Sequence, residues 1–214
     1  MKIQAGSKLV MIGDSITDCG RARPIGTWPD GLGVGYVALT ASLLGAACPR
    51  CPVDVVNTGI GGNTVRDLVG RWTADVLDLK PDWLSVMIGI NDVWRQFDCP
   101  NNPEFHVYLG DYERMYDALL AATRPGLEGL ILATPYFIEP DKKDPMRAMM
   151  DKYSAVVRKL APKHDAILVD TQAAFDEILT VTPKEKLAGD RVHPNLIGHM
   201  VIARAFAQSL DCPL

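Results

Sequence analysis

The 214-residue sequence lacks any long apolar run. Its longest early stretch, Leu9 to Ile12, falls far short of the ~20 residues of a membrane span or the ~7–15 of a signal-peptide core. A cytoplasmic protein with no membrane partner is therefore expected. No block of Lys or Arg is present and the net charge is −4, so nothing attracts nucleic acid. Cysteines are few, and their number, 5, is odd, which fits a reducing compartment better than a disulfide framework. Cys48-Pro49-Arg50-Cys51 has redox-motif spacing, but it falls after a helix-like run and before a strand. Redox cysteines sit where a strand feeds a helix N-terminus, so this pair reads as a connecting turn. No second cysteine pair or nearby histidine completes a zinc site, and His199 misses the i, i+4 spacing from His193 that a helical metal pair needs. Repeats, linkers and low-complexity tracts are also missing, and the length suits one domain over residues 1–214.

What is present is an alternation of short apolar runs and longer periodic segments. Strands are expected at Lys8–Gly13, Val53–Asn57, Trp83–Ile88, Gly129–Thr134 and Ala166–Asp170. Helices are expected at Gly35–Leu44, from Asn63 or Thr64 to Leu79, at Gly110–Thr123, at Met146–Leu160, up to Leu179, and at Asn195–Leu210. Five strands separated by helices predict an α/β protein: a parallel sheet with right-handed crossovers and a helical layer on each face. Two loops, Gly20 to Gly33 and Val93 to Leu109, exceed ordinary connections and are expected to be functional.

The candidate chemistry lies at the strand ends. Ser15 follows the first strand, Gly62 the second and Asn91 the third, and ligands of parallel α/β sheets bind at those C-terminal edges. Asp190 and His193 precede the last helix. A serine hydroxyl is inert alone and needs a base, an acid that orients the base, and donors for the oxyanion. His193 suits the first task and Asp190, one turn away, the second. The Ser15 and Gly62 N–H groups and the Asn91 amide suit the third, with Gly62 allowing close backbone approach because it lacks a Cβ. The set predicts acyl transfer with no metal or organic cofactor. A histidine base must be neutral, so turnover should rise through roughly pH 6–7. Ser15 lies between Asp14 and Ile16, which disfavours the Gly-x-Ser-x-Gly elbow of α/β-hydrolases.

Gly13-Asp14-Ser15, the Asn57/Gly59/Gly62 cluster, Gly89-x-Asn91-Asp92 and Asp190-x-x-His193-Pro194 resemble, in order, the blocks of the SGNH (GDSL-type) hydrolases. Thr17 to Arg23, Asn63 to Leu68 and Ile90 to Arg95 look like the cytoplasmic acetylxylan-esterase branch. The resemblance implies a flavodoxin-like three-layer fold, a catalytic Ser15–His193–Asp190 set, an oxyanion hole of Ser15, Gly62 and Asn91, and a small acetylated sugar, xylo-oligosaccharides first, as substrate. It also implies a homo-oligomer. Gly61 stands where many relatives carry Ser. A thioesterase or lysophospholipase activity is the alternative within hydrolases, and a non-catalytic carbohydrate-binding protein is the alternative outside them.

Asp14, Trp94, Arg95 and Tyr108 are candidate substrate contacts, each beside a plainer role. Asp14 suits helix capping, and Asp18 and Asp92 either cap or shape the rim. Arg66 and Arg95 either pair with carboxylates or reach substrate. Trp28, Trp94 and Tyr108 either stack on sugar rings or pack their loops. His106 either lines the cleft or packs, and His164 and His199 are expected to pack.

Overall fold

Leu9, Val10, Met11 and Ile12 are all fully buried, as befits a strand covered by helices on both faces. In the computed structural model, which describes residues 1–213, they form the middle of β1 (Lys8–Gly13). The remaining strands are β2 (Gly26–Thr27), β3 (Asp54–Asn57), β4 (Trp83–Met87), β5 (Gly129–Ala133) and β6 (Ile167–Val169). They lie in the order β2-β3-β1-β4-β5-β6, parallel throughout except for the β2–β3 pair. The five expected strands are all present. The sixth, β2, lies in the stretch expected as the Gly20–Gly33 loop, and a two-residue strand is too short to carry any alternation.

The helices are α1 (Ser15–Asp18), α2 (Tyr36–Ala47), α3 (Val65–Trp72), α4 (Ile90–Asp98), α5 (Leu109–Thr123), α6 (Pro145–Lys163), α7 (Thr171–Ile178) and α8 (Leu196–Ser209). One group packs as α2 and α7 against α8, the other as α3 and α6 against α5 with α4 on α6, and the two groups flank the sheet. The expectation of a loop from Val93 to Leu109 is corrected by α4. Ile90, Val93, Trp94 and Phe97 recur at i, i+3, i+4 and i+7, and Ile90 and Val93 are buried, so the segment folds as an amphipathic helix. Only a single 3₁₀ turn, Pro103–Phe105, interrupts the remainder of that stretch. The helix expected to run to Leu79 instead ends its α-helical part at Trp72 and continues as a π turn, Thr73–Leu77.

After β1 the chain passes to β3 on one side and then to β4 on the other. The carboxyl ends of β1 and β4 therefore flank the crevice where strand order reverses, the place at which such sheets bind ligands. No helix among the described residues is long and apolar enough to cross a membrane.

Candidate active site

Ser15 opens α1 directly after β1. The turn is tight: a Cβ on Gly13 would lie 2.2 Å from Thr17 Oγ1 and 2.4 Å from the Met87 carbonyl, so only glycine fits between β1 and β4. Asp14 caps α1, its Oδ1 accepting from the Ile16 N–H at 3.0 Å. It is 1% exposed, so the expectation that it contacts substrate is corrected. Its carboxyl is turned into the protein, and burial raises its pKa to about 7.

The loop before α8 brings up its partners. It is closed at the neck by a bridge between Ala188 and Pro194 and by the Asn195 N–H on the Leu187 carbonyl at 2.7 Å. Within it, Asp190 Oδ1 accepts from the N–H groups of Val192 (3.0 Å) and His193 (2.8 Å), an Asp-stabilised turn. Its other oxygen, Oδ2, lies 2.7 Å from His193 Nδ1. A carboxylate there requires the proton on Nδ1, which leaves Nε2 as an acceptor for the Ser15 hydroxyl at 2.9 Å. Burial acts to raise the Asp190 pKa, but the hydrogen bonds from His193 and the two backbone amides outweigh it, and the group stays below the ordinary carboxylate range. Glu139, buried behind the loop, accepts from Lys184 and from Arg191 (2.9 Å). Its own burial opposes ionisation, yet these bonds hold its pKa at about 2.

The opposite wall comes from the β3 and β4 edges. Asn91 lies in the first turn of α4, buried, with Nδ2 donating to the Asn63 carbonyl at 2.9 Å. One hydrogen of that amide is used there and the second meets no acceptor among the described residues. The Gly59–Gly62 loop is fixed from below. Asn57 Oδ1 accepts from the Gly59 N–H (2.9 Å), Asp18 Oδ2 accepts from the Gly61 N–H (3.2 Å), and Asp92 Oδ1 accepts from the Val65 N–H (3.0 Å). Asp18 and Asp92 thus hold the rim from within. A Cβ on Gly62 would meet no protein atom within 4 Å. The backbone itself favours glycine there, with a φ of +80°. The N–H groups of Ser15 and Gly62 meet no acceptor among the described residues.

The other expected residues divide. Trp94 lies against the site, its ring centroid 5.8 Å from that of His193. With Phe97, Asp98, Asp144, Met146 and Arg191 it lines a hollow of about 280 Å³. Arg95 pairs with Asp98, covers the Trp94 ring at 5.2 Å and reaches Asn91 Oδ1 at 3.4 Å. Tyr108 packs edge-on against His106 rather than His193, with its hydroxyl 3.2 Å from His106 Nδ1. Among the described residues Arg66 meets no carboxylate; it donates to the carbonyls of Glu104 and His106. His106 and His164 are buried on local partners, the Cys99 carbonyl and Asp117. His199 accepts the Tyr36 N–H through Nδ1 at 3.1 Å, and burial lowers its pKa to about 4. Cys48 and Cys51 share a turn between α2 and β3. No group of three metal-ligating side chains occurs among the described residues.

Two residues of the arrangement escaped the sequence argument: Glu139, and Arg71, whose guanidinium donates to the Gly13 and Thr58 carbonyls and to Asn63 Oδ1. Glu139 sits far from any motif, and Arg71 looks like one more charge on a polar helix face. That a loop holding an acid and a base must itself be anchored could have pointed to Glu139; no signal in the spacing points to Arg71.

Residues 11–201 match the GDSL-like Lipase/Acylhydrolase family. An acetylxylan esterase of Geobacillus stearothermophilus is 54% identical over 211 residues, 98% of this chain and 96% of that one. A crystal structure of an acetylxylan esterase from the same organism superposes with a TM-score of 0.96 at 53% identity, over 98% of this chain and 96% of that one. A catalytic serine-to-alanine mutant of that esterase superposes with a TM-score of 0.97 at 52% identity, over 100% and 98% of the two chains.

Proposed function

The chain belongs to the GDSL-like lipase/acylhydrolase family, and on that premise we propose that it is a serine esterase removing O-acetyl groups from xylo-oligosaccharides. The observation that carries the reading is the continuous run from Ser15 Oγ through His193 to Asp190, at 2.9 and 2.7 Å.

In this reading Ser15 Oγ attacks the acetyl carbonyl carbon while His193 Nε2 takes its proton. The oxyanion is held by the Ser15 and Gly62 N–H groups and Asn91 Nδ2, each donor contributing ~10²–10³ in kcat. As the tetrahedral intermediate collapses, the bond from the acetyl carbon to the sugar oxygen breaks and His193 returns the proton to that oxygen. Water, deprotonated by His193, then attacks the acetyl-serine, and acetate leaves as Ser15 regains its proton. Asp190 keeps the histidine proton on Nδ1 and stabilises the imidazolium.

The sugar preference is supported by the relatives and by the Trp94 ring beside His193, which lines a hollow with Asp98, Asp144 and Arg191 as well as Phe97, Pro145 and Met146. Aromatic faces with adjacent hydrogen-bonding groups suit a pyranose better than an acyl chain. We read residues 1–214 as one such domain acting in the cytoplasm, in keeping with its unpaired cysteines. The test is acetate release from acetylated xylo-oligosaccharides set against acyl-CoA and lysophospholipid substrates, with Ser15→Ala alongside. Turnover of the sugar esters, abolished in Ser15→Ala, is expected. Faster turnover of either lipid-type substrate would overturn the assignment.

A further inference from the structure

Arg71, in the last turn of α3, takes no part in the steps above, yet its guanidinium is mostly buried behind the site. All three of its nitrogens donate. Nη2 reaches the Gly13 carbonyl at 2.8 Å and Nε the Asn63 side-chain oxygen at 2.7 Å. Nη1 reaches both the Thr58 carbonyl and the Asp75 carboxylate at 2.6 Å.

Apart from Asp75, these acceptors belong to the segments that carry the oxyanion donors. The Gly13 carbonyl ends β1 just ahead of Ser15. Thr58 and Asn63 bracket the loop that presents Gly62. The Asn63 carbonyl in turn holds the Asn91 amide at 2.9 Å. Each donor is therefore one or two links from a single planar cation, and the fork geometry of a guanidinium is what lets one side chain bridge acceptors on separate segments.

We propose that Arg71 is a positioning residue for the oxyanion hole, fixing the spacing of the Ser15, Gly62 and Asn91 donors. The proposal rests on the esterase reading above. Donors aimed at developing charge act only when already in place, and a 1 Å displacement of reacting groups costs ~10² in rate. Loss of Arg71 therefore weakens the transition state while leaving ground-state binding intact. A purely structural arginine would instead lower stability and leave the kinetics of the folded fraction unchanged.

The test compares wild type, Arg71→Met, Arg71→Lys, Asp75→Asn and Ser15→Ala for kcat, KM, thermal midpoint and inhibition by phenylboronic acid. The boronate's serine adduct puts a tetrahedral oxygen where the oxyanion forms. Arg71→Met is expected to lose roughly 10–100-fold in kcat with KM little changed, and to bind the boronate more weakly by a matching factor. Arg71→Lys should fall nearly as far, because a single ammonium cannot span the acceptors. Asp75→Asn removes the ion pair alone and should keep kcat even where its midpoint drops. Wild-type kcat in Arg71→Met, a loss confined to KM, unmoved boronate affinity, or an equal kcat loss in Asp75→Asn would each overturn the proposal. If Arg71→Met does not fold, Asn63→Ala, which keeps the guanidinium and removes one acceptor, carries the test, and an unchanged kcat there overturns it. Undiminished activity in Ser15→Ala would bring down the esterase reading itself, a separate failure.

Discussion

Replacing Asp190 by asparagine should harm turnover more than replacing it by alanine, although asparagine is the closer mimic. Asp190 Oδ1 is committed to the amides of Val192 and His193, at 3.0 and 2.8 Å. Only a carbonyl oxygen satisfies two N–H donors, so the asparagine oxygen takes that position and its NH₂ takes the place of Oδ2, facing His193 Nδ1. Nδ1 must then accept, and the ring proton moves to Nε2. The ring would donate to Ser15 Oγ instead of accepting from it, and no base remains. In the equivalent serine-protease geometry an inverted tautomer costs ~10⁴ in kcat, about 5.5 kcal/mol of barrier. Alanine imposes no tautomer, and with the Asp190 and His193 side chains each 45% exposed, water reaches Nδ1 and supports either form. The expected order of kcat on an acetylated xylo-oligosaccharide is wild type, then alanine, then asparagine. Thermal stability should follow a different order, because alanine also abandons the two loop amides. An asparagine variant within tenfold of wild type, or one faster than alanine, would refute the argument.

Three further outcomes can be checked. Asn91→Ala should lower kcat by ~10²-fold with little change in KM, measured by steady-state acetate release, because the proposed mechanism puts the amide on the oxyanion. Trp94→Ala should raise KM for acetylated oligosaccharides and leave 4-nitrophenyl acetate turnover unchanged; equal effects on both would remove the ring from sugar binding. Asp92 is fully buried, its Oδ2 meets no partner among the described residues, and burial raises its pKa to about 8, whereas an unfolded aspartate titrates near 3.9. The native state therefore binds the extra proton, and the stability contributed by the neutral carboxyl is complete below about pH 4 and lost as pH rises through about 8. The decline is as steep as ~1.4 kcal/mol per pH unit within that window. Urea unfolding at a series of pH values should show it flattened in Asp92→Asn, and an identical slope would contradict the assignment.

Much of this architecture was legible in the chain because the central strands are buried on both faces and read as plain apolar runs. Ser15, Gly62 and Asn91 follow such runs, so their shared edge was foreseeable from topology alone. What escaped has a common physical cause. The strand Gly26–Thr27 is too short for a pattern, and α4 was hidden by the polar residues Asn91, Asp92, Arg95, Gln96 and Asp98 interleaved with its apolar stripe. Asp14 illustrates the opposite difficulty, since its place in a catalytic block suggests substrate contact while the cap it makes turns it inward. Arg71 and Glu139 act through carbonyls and loop anchors, partners that leave no mark in one-dimensional spacing.

Ser15 and His193 lie 178 positions apart, and the base reaches the nucleophile only through the loop that leads into α8. The same helix is fastened to the start of α2 through His199 and the Tyr36 N–H. On the proposed mechanism, a chain that has formed its sheet but not yet seated its last helix holds the nucleophile and all three oxyanion donors without the base. Esterase activity during refolding thus reports C-terminal docking rather than sheet formation, and it should return later than the far-ultraviolet signal of secondary structure.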